Sequence, residues 1–536
     1  MRVFFFSRFV AIVLALGWAL SSAAQVNITT YHNDNSRTGQ NVQELILTTS
    51  NVNATNFGKL FTQALDGYSY SQPLYVSSVN IPNKGVHNVV YVATMNDSVY
   101  AFDADNRAGS NASPLWHVNF TNPAKGITTV PTADVNCSDT FSPIGINSTP
   151  VIDTSSNTIY VLARTKENGA YFHRLHALDI TTGAEKFGGP VTIQATVSGK
   201  GTGSKNGQIS FNALLEAQRS ALLLQNGQVY ISWASLCDFS AYHGWVMAYN
   251  ASTLAQTAVW LITPNGNRGG IWQAGNGVAG DSSFNTFVAV GNGTFDVNSG
   301  GIDYGQSVVK LGPNSGTTFP ILDYFTPFNA STLNSSDKDI GSSGLTLLPN
   351  QTGPVAHLLI QGSKTGDLYL INRDDMGQYN STSNSQIVQF IPAAQAASHG
   401  MWSSPSWWNN FVYIGGSSGP IQGFAFNTST GLLSTTATTK TAAAFGYPGT
   451  TVTISSNGTT NGIVWAMNNA AYKSTTGQAT LLAYQATNLG KQLYSSRTKA
   501  TRDNPGIPIK FQVPTVVHGK VYIITQKGLS AYGLFN

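Results

Sequence analysis

The stretch VPTVVHGKVYIITQKGLSAYGLFN, residues 513–536, predicts three strands of an antiparallel β-meander. An apolar run, a strand at 520–525 and a strand at 529–534 are separated by His-Gly and Lys-Gly turns. A sheet of this kind has an unpaired edge, and exposed edges promote aggregation. We therefore expect another segment of the chain to supply a fourth strand.

The same pattern occurs seven more times along the chain. The central strands of these units are VVYVAT, TIYVLA, QVYISWA, FNTFVAVG, AHLLIQG, FVYIGG and GIVWAMN. Most units continue into a fourth strand that contains an aromatic residue, such as SPLWHVNF or AQTAVWLI. Four-stranded antiparallel units repeated around an axis are typical of β-propellers. The sequence therefore predicts an all-β fold, an eight-bladed β-propeller of four-stranded blades.

The segment NFGKLFTQAL, residues 56–65, predicts a strand that no preceding unit needs. We expect it to pair with residues 529–534, complete the last blade and close the ring. The expected organisation is a signal peptide at 1–24, an N-terminal extension at 25–55 packed on the propeller, and a single propeller at 56–536. Two smaller all-β domains are the alternative, but each would keep an orphan strand.

Composition excludes several classes of protein. Only 10% of the residues are charged, against a typical value of about 25%, which suits many short strands and turns rather than long amphipathic helices. The net charge of +4 is small for 536 residues, and the Lys and Arg residues are scattered. We expect no nucleic-acid partner and no membrane-surface partner.

The first residues, MRVFFFSRFVAIVLALGWALSSAAQ, predict a secretory signal with a basic start, an apolar centre and small residues before Gln25. The apolar run is too short for a stable membrane span. We therefore expect a secreted, extracellular protein with no membrane span. Asn-x-Ser/Thr sequons, such as those at Asn27, Asn53 and Asn111, predict a glycoprotein if the source is eukaryotic, although a chain rich in Asn, Ser and Thr also generates them by chance.

The repeat units resemble those of the quinoprotein family, whose propellers carry pyrroloquinoline quinone (PQQ) repeats. The strings VYVATMNDSVYAFDAD and TPVIDTSSNTIYVLARTKENGAYFHRLHALDITTG carry this resemblance. GGIWQAGNGVAGDSS and KTGDLYLINRDDMGQYN are similar to segments of secreted PQQ-repeat-like propellers. The resemblance implies an eight-bladed propeller over nearly the whole chain.

The resemblance also implies a kind of site. Quinoprotein dehydrogenases hold PQQ over the central channel, with a Trp beneath it and a disulfide between adjacent cysteines above it. They bind Ca²⁺ through Glu, Asn and Asp, and use an Asp as base. This sequence has two cysteines, which are not adjacent, and no calcium set aligns with it residue by residue.

The connections that precede the first strand of each blade share one face with the loops between the second and third strands. On that face we expect a ligand or cofactor site at the mouth of the channel, formed by Asn147, Arg219, Trp272, Gln273 and Trp402. The tryptophans offer stacking surfaces, and the guanidinium of Arg219 can donate hydrogen bonds to a carboxylate or a carbonyl. The alternatives are packing between blades for the tryptophans, and an ion pair with Glu216 or a backbone contact for Arg219.

His399 and Glu216 are the candidate catalytic acid or base residues on this face. A histidine beside a glycine also occurs as a purely structural residue. The loop GNGTFDVNSGGIDYGQ predicts a calcium site, because Asp296, Asn298 and Asp303 offer oxygen ligands around a glycine turn. Asn, Asp and Gly also form turns without any metal.

Cys137 and Cys237 are expected on the same face in neighbouring blades, which favours a disulfide in an oxidising compartment. Two unrelated cysteines are the alternative.

The first functional hypothesis is binding of a glycan, a quinone or a protein at the channel mouth. The second is a PQQ-dependent oxidoreductase of sugars or alcohols, with PQQ and calcium as cofactors. A third is cleavage of a polysaccharide by Glu216, Asp238 and Asp303.

Overall fold

The computed structural model describes residues 26–535 except 139, 141, 240 and 397. The expected signal peptide at 1–24 lies outside the described residues. Eight antiparallel sheets follow one another along the chain, so the fold is all-β and is an eight-bladed β-propeller. Each sheet forms a blade of four main strands, which we call strands A to D in the order in which neighbouring strands pair.

The first four blades follow chain order. Blade 1 consists of Leu74–Ile81, Gly85–Ala93, Ser98–Asp103 and Trp116–Asn119. Blade 2 consists of Val151–Asp153, Thr158–Glu167, Ala170–Asp179 and Val191–Thr192, with Ile127–Thr129 added beside strand B. Blade 3 consists of Leu223–Gln225, Gln228–Ser235, Trp245–Asn250 and Gln256–Leu261, with Glu216–Ala217 added beside strand B. Blade 4 consists of Ala279–Gly280, Thr286–Ala289, Val308–Leu311 and Ile321–Thr326, and Gln378–Tyr379 pairs in parallel with its outer strand.

The last four blades complete the ring. Blade 5 consists of Leu345–Leu347, Leu358–Gln361, Leu368–Asn372 and Gln389–Ile391. Blade 6 consists of Ser406–Trp408, Phe411–Gly415, Gly419–Asn427 and Thr439–Phe445, with Leu432–Leu433 as an additional strand. Blade 7 consists of Thr453–Asn457, Thr460–Asn468, Thr480–Gln485 and Asn488–Ser495. Blade 8 consists of Thr515–Val517, Lys520–Thr525, Gly528–Leu534 and the N-terminal strand Phe57–Ala64.

The closure predicted from the sequence is confirmed. Phe57–Ala64 pairs antiparallel with Gly528–Leu534, from Phe57 opposite Leu534 to Ala64 opposite Gly528. Phe57 is fully buried, and its ring packs edge-on against Tyr494 with centroids 4.9 Å apart. The N-terminal strand therefore supplies the fourth strand that the meander of residues 513–536 lacks.

The apolar side chains form cores between neighbouring blades. Eight clusters of buried residues each combine two consecutive blades, from blades 1 and 2 around to blades 8 and 1. Strands B and C are buried on both faces, which explains why runs such as VVYVA and TIYVLA show no polar alternation. Large rings fill the wedges between blades, among them the fully buried Trp233 and Trp245 between blades 2 and 3.

Short elements lie outside the blades. The hairpin of Thr196–Ser198 and Gln208–Ser210 precedes blade 3. The α-helices are Ala330–Ser335, Ala393–Ala396 and Ala500–Asp503, and the 3₁₀ helices are Gly109–Ala112, Pro123–Lys125, Thr132–Val135, Gln273–Gly275 and Val297–Ser299. No helix in the described part of the chain combines the length and apolarity that a membrane crossing requires.

Residues 28–41, which we call the axial segment, contact the innermost strand of every blade. Each blade is hydrogen-bonded to at least one residue of this segment. Taken from blade 1 to blade 8, these residues include Ile28, Thr29, Asn35 for both blades 3 and 4, Ser36, Thr38, Gly39 and Asn41. Six of the eight blades are bonded backbone to backbone, and blades 3 and 8 accept from asparagine side chains. Residues Gln40–Asn41 also pair in parallel with strand A of blade 7. The axial segment therefore joins all eight blades at the axis.

Arg37 anchors this segment at its centre. The side chain is 0% exposed, and its guanidinium donates to the carbonyls of Tyr31, Leu222 and Val278 and to the hydroxyl of Thr30. Burial lowers the pKa of Arg37 to about 10, so the group stays charged at neutral pH. A buried charge is tolerated because its donors are bonded.

Candidate functional site

A cavity of about 360 Å³, which we call the axial cavity, opens at one end of the propeller axis. All eight blades contribute to it through the segment that precedes strand A. In blade order these residues are Tyr70, Asn147, Arg219, Trp272, Asp339, Trp402, Tyr447 and Lys510. The loops between strands B and C add residues from blades 3 to 5, namely Cys237, Asp238, Asn292 and Lys364. Four of the five expected ligand-binding residues, Asn147, Arg219, Trp272 and Trp402, are thus brought together.

A disulfide forms part of the wall. Cys137 and Cys237 are 100 residues apart in sequence, and their Cα atoms are 5.6 Å apart in a disulfide-bonded pair. This distance lies within the usual range for disulfides. Both cysteines line the axial cavity. The bond therefore ties the approach to blade 2 to the loop of blade 3 beside the site.

Trp272 is held in one orientation. Its indole Nε1 donates to the carbonyl of Ser235 at 3.1 Å. The six-membered ring lies in a notch formed by two glycines, since a Cβ on either Gly270 or Gly291 would come within 2.6 Å of it. Tyr242 contacts the indole edge-on at 6.0 Å between centroids. Trp272 is partly exposed and lines the cavity, so it presents a fixed aromatic surface.

Arg219 places a positive charge in the cavity wall. Its guanidinium stacks on the ring of Phe511 at 4.6 Å and on Tyr70 at 5.4 Å, and it donates to the carbonyl of Ala274 at 3.2 Å. Burial lowers the pKa of Arg219, and neighbouring tyrosines oppose this effect. Among the described residues no ion pair joins Arg219 to Glu216, so the contacts of the guanidinium are with a backbone carbonyl and with aromatic rings.

The part of the wall contributed by blades 4 and 5, which we call the acidic wall, contains two aspartates and one lysine. Lys364 Nζ lies 2.7 Å from Asp337 Oδ1 and 3.4 Å from Asp339 Oδ1. Asn292 Nδ2 donates to Asp337 Oδ1 at 2.7 Å. Burial raises the pKa of Asp339 to about 6, while the charge of Lys364 lowers it. The side chain of Asp339 is only 5% exposed. A carboxyl with this pKa can take up or release a proton near neutral pH.

Aromatic rings and a second lysine cover the remaining side. Trp402 contacts Tyr447 edge-on at 5.2 Å. Lys510 Nζ lies over the rings of Tyr472, Phe511 and Tyr447 at 5.4 Å, 5.4 Å and 5.9 Å. Lys510 is 3% exposed. The cavity therefore combines an acidic wall with a wall of aromatic rings and cations.

The other expected residues lie outside the axial cavity. Gln273 is fully buried, donates to the carbonyl of Gly277 and accepts from the amide of Ala289, so it stabilises the turn that carries Trp272. Glu216 is buried in the added strand of blade 3, and burial raises its pKa well above the usual value. His399 is exposed and packs against glycines of blades 5 and 6. The catalytic roles of His399 and Glu216 stay predictions.

The expected calcium loop lies in blade 4, away from the cavity. Asp296 Oδ1 accepts the backbone amide of Asp303, and Asp303 Oδ1 accepts that of Asn265. Asn298 is exposed in the 3₁₀ helix of this loop. Both carboxylates thus accept backbone amides, and calcium binding here stays a prediction. In the part of the chain that the structure describes, no group of three or more His, Cys, Asp or Glu side chains is arranged to hold a metal ion.

The sequence analysis missed the acidic wall and the second lysine. Asn292 and Lys364 lie in the loops of blades 4 and 5 between strands B and C, and Asp337 and Asp339 lie two residues apart in the segment before strand A of blade 5. Asp339 and Lys510 both lie just before a strand A, at the position of Trp272 and Arg219 in their blades. Taking the residues before strand A in all eight blades as candidates would have found Asp339 and Lys510.

Solved structures with a similar fold were found. A quinohemoprotein alcohol dehydrogenase from Pseudomonas putida matches with a TM-score of 0.60 and 14% identity over 95% of this chain and 80% of that chain. The chain shares the quinoprotein dehydrogenase fold. A quinohemoprotein alcohol dehydrogenase from Comamonas testosteroni matches with a TM-score of 0.59 and 14% identity, over 96% of this chain and 81% of that chain. No protein-family model matches the chain, and no curated protein matches its sequence.

Proposed function

We propose that the axial cavity binds a planar, anionic quinone of the PQQ type and that the protein oxidises a sugar or an alcohol. The observation that carries this proposal is the meeting of Trp272, the Cys137–Cys237 disulfide and the buried Asp339–Lys364 pair in one cavity on the axis. A quinoprotein fold alone would not support it, because one fold hosts unrelated activities. Of the two leading hypotheses, oxidation fits these side chains better than binding alone.

The residues present suit a planar anion. The fixed indole of Trp272 offers a stacking surface, and the partly buried guanidinium of Arg219 can donate two parallel hydrogen bonds to a carboxylate. Lys510 adds a second positive charge near Arg219, since both cations lie over the ring of Phe511. When bound, a quinone of this type supplies a two-electron oxidant. In the quinoproteins that the sequence resembles, the disulfide joins adjacent cysteines, whereas here it joins two blades.

Asp339 is the residue that we assign to proton transfer. It lines the cavity, it is almost fully buried, and burial raises its pKa to about 6. Above that pH its carboxylate can accept the proton of a substrate hydroxyl group. Lys364, 3.4 Å away, stabilises the ionised form. This assignment replaces His399 and Glu216, neither of which lines the cavity.

A divalent cation such as Ca²⁺ would find oxygen ligands in Asp337, Asp339 and Asn292, the donor type that this ion prefers. It would compete with Lys364 for both carboxylates, because the ammonium already contacts them.

The same ion pair favours a second candidate function. A cavity whose acids are neutralised by Lys364 could bind a glycan through Trp272 and Trp402 without any metal or redox chemistry.

The two functions are separated by one titration. Purified protein is titrated with PQQ in the presence and absence of CaCl₂, and dye reduction is followed with a panel of sugars and alcohols. Oxidation predicts a saturable change in absorbance and dye reduction, both lost in Trp272→Ala and retained in Trp260→Ala. Trp260 is a partly buried tryptophan of blade 3 that does not line the cavity.

Flat absorbance and dye responses in the wild-type protein would contradict the oxidoreductase. Binding on a glycan array that disappears in both Trp272→Ala and Trp402→Ala would then support the second candidate.

A further inference from the structure

A second, smaller cavity lies behind Asn147, and we call it the side chamber. Its volume is about 10 Å³, and its polar walls are Asn147, Arg164, His173 and Gln218. Asn147 also lines the axial cavity, so this one side chain separates the two spaces. The chamber is close to the smallest size that holds a water molecule.

Three polar atoms of residues that line this chamber are buried and have no hydrogen-bond partner among the described residues. They are Asn147 Oδ1, Gln218 Oε1 and Arg164 Nε. The three residues are only 7%, 5% and 4% exposed. Buried polar atoms in native proteins are nearly always bonded to protein or to ordered water. Three unpaired atoms around one small space therefore indicate a shared partner.

The other polar groups of the chamber are already used. Gln218 donates its Nε2 to the carbonyl of Ser220, and Arg164 donates its Nη2 to that of Leu214. His173 contacts the carbonyl of Ala213 through Nε2, and its Nδ1 accepts from the indole of Trp233. The missing partner must therefore satisfy two amide oxygens and one guanidinium N–H.

We propose that the side chamber holds one water molecule that fixes Asn147 as a hydrogen-bond donor toward the axial cavity. Arginine can only donate, so the water accepts from Arg164 Nε and uses both of its hydrogens on the oxygens of Gln218 and Asn147. Three hydrogen bonds are typical of a buried water. With Oδ1 turned toward the chamber, the Nδ2 group of Asn147 is directed into the axial cavity.

This arrangement selects the chemistry of the ligand at that wall. A donor from Asn147, in the same cavity wall as the guanidinium of Arg219 from the next blade, recognises a hydrogen-bond acceptor such as a carboxylate or a quinone carbonyl. A cationic ligand group would find only hydrogen-bond donors at Asn147 and Arg219, so this part of the wall disfavours it. The inference rests on the proposed function in one respect, that the axial cavity holds a ligand, and the water itself does not depend on quinone chemistry.

The test combines crystal structures with titrations of the full chain by PQQ. The wild-type structure should show a water bonded to Asn147, Gln218 and Arg164, and Gln218→Met should lack it. Gln218 does not line the axial cavity, yet Gln218→Met should weaken PQQ binding about fivefold because the amide of Asn147 is no longer held. Asn147→Asp should weaken it at least about tenfold, equivalent to about 1.4 kcal/mol, since a donor becomes an anion.

Leu175→Met, a swap at a core residue of the same blade that lines neither cavity, should bind PQQ as the wild type does. An empty chamber in the wild-type structure would overturn the proposal, and so would unchanged affinity in Gln218→Met or Asn147→Asp. If Gln218→Met does not fold, two measurements still test the proposal: the density for the water in the wild-type structure and the PQQ affinity of Asn147→Asp. If the wild-type protein does not bind PQQ at all, the proposed quinone function fails, while the wild-type density still decides the water site.

Discussion

Asp339 Oδ1 and Lys364 Nζ lie 3.4 Å apart on the acidic wall of the axial cavity, in a pair whose carboxylate side chain is only 5% exposed. The two residues come from the approach to blade 5 and from the loop between its strands B and C. Burial raises the pKa of Asp339 to about 6, and Lys364 opposes that shift. This balance sets the pH range in which the carboxylate can accept a proton.

The first prediction concerns the pH dependence of the wild-type protein. A base must be ionised to act, and the pKa of Asp339 is about 6. Turnover should therefore be constant above about pH 7 and fall tenfold per pH unit well below 6. The measurement is kcat/KM for the best substrate of the panel between pH 4 and 9. Turnover that rises as the pH falls through 6 would contradict the assignment of Asp339 as the base.

The second prediction removes the cation from this pair. Lys364→Met should move the midpoint of the pH profile upward by at least about one unit, because an opposite charge within a few ångströms lowers a carboxyl pKa by about that much. Lys520→Met is the matched control, since Lys520 pairs with the exposed Asp105 far from the cavity. A midpoint that stays in place in Lys364→Met would show that Asp339 does not control the profile.

The third prediction tests the closure of the ring. Phe57→Ala should lower the free energy of unfolding by about 3–5 kcal/mol, because it opens a cavity among Trp465, Tyr494 and Tyr532. Leu60→Ala on the same strand should cost less than about 1 kcal/mol, since Leu60 is 38% exposed. Urea unfolding followed by tryptophan fluorescence measures both. A loss of less than about 1 kcal/mol in Phe57→Ala would contradict the role of this strand.

The fourth prediction concerns the axial segment. Arg37→Met removes five hydrogen bonds and leaves the carbonyls of Leu222 and Val278 buried without that donor. We expect a loss of at least about 3 kcal/mol of unfolding free energy, given the usual cost of unpaired buried groups. Arg107→Met, at an exposed position, should change stability by less than about 0.5 kcal/mol. A stability loss in Arg37→Met no larger than in the control would mean that the segment does not hold the blades together.

The fifth prediction concerns the disulfide. In the loop-entropy description, a bond that closes a loop of 100 residues contributes about 4.7 kcal/mol. The double variant Cys137→Ser, Cys237→Ser should unfold at lower urea concentration. It should also bind PQQ more weakly, because both cysteines line the cavity. Stability and PQQ affinity equal to those of the wild type would contradict a role for this bond at the site.

The repeat pattern was sufficient to predict the architecture. Each blade buries its strands B and C on both faces, so the apolar runs are visible in the sequence, and the unpaired segments at 56–65 and 513–536 indicated how the ring closes. The axial segment was less visible. Arg37 and its neighbours bond to eight strands that are spread over more than 400 residues, as the pairs Ile28–Tyr75 and Asn41–Val516 illustrate, and no local pattern encodes such contacts.

The site was predicted in part. Trp272, Arg219, Trp402 and Asn147 were expected at the channel mouth from their position before strand A, and they line the axial cavity. The acidic wall was not expected, because Asp337 and Asp339 precede strand A of blade 5 while Lys364 lies in the loop between its strands B and C, and only the folded blade brings these charges together. Gln273 adjoins Trp272 in sequence but points into the core, where it bonds the turn. Chain position alone does not tell the two orientations apart.

The most direct test of the account is a crystal structure of the protein grown with PQQ and CaCl₂. The account predicts density for the planar ring system stacked on Trp272 inside the axial cavity, with an acceptor group beside Arg219. An axial cavity that contains only water at saturating PQQ, or PQQ bound elsewhere on the propeller, would contradict it.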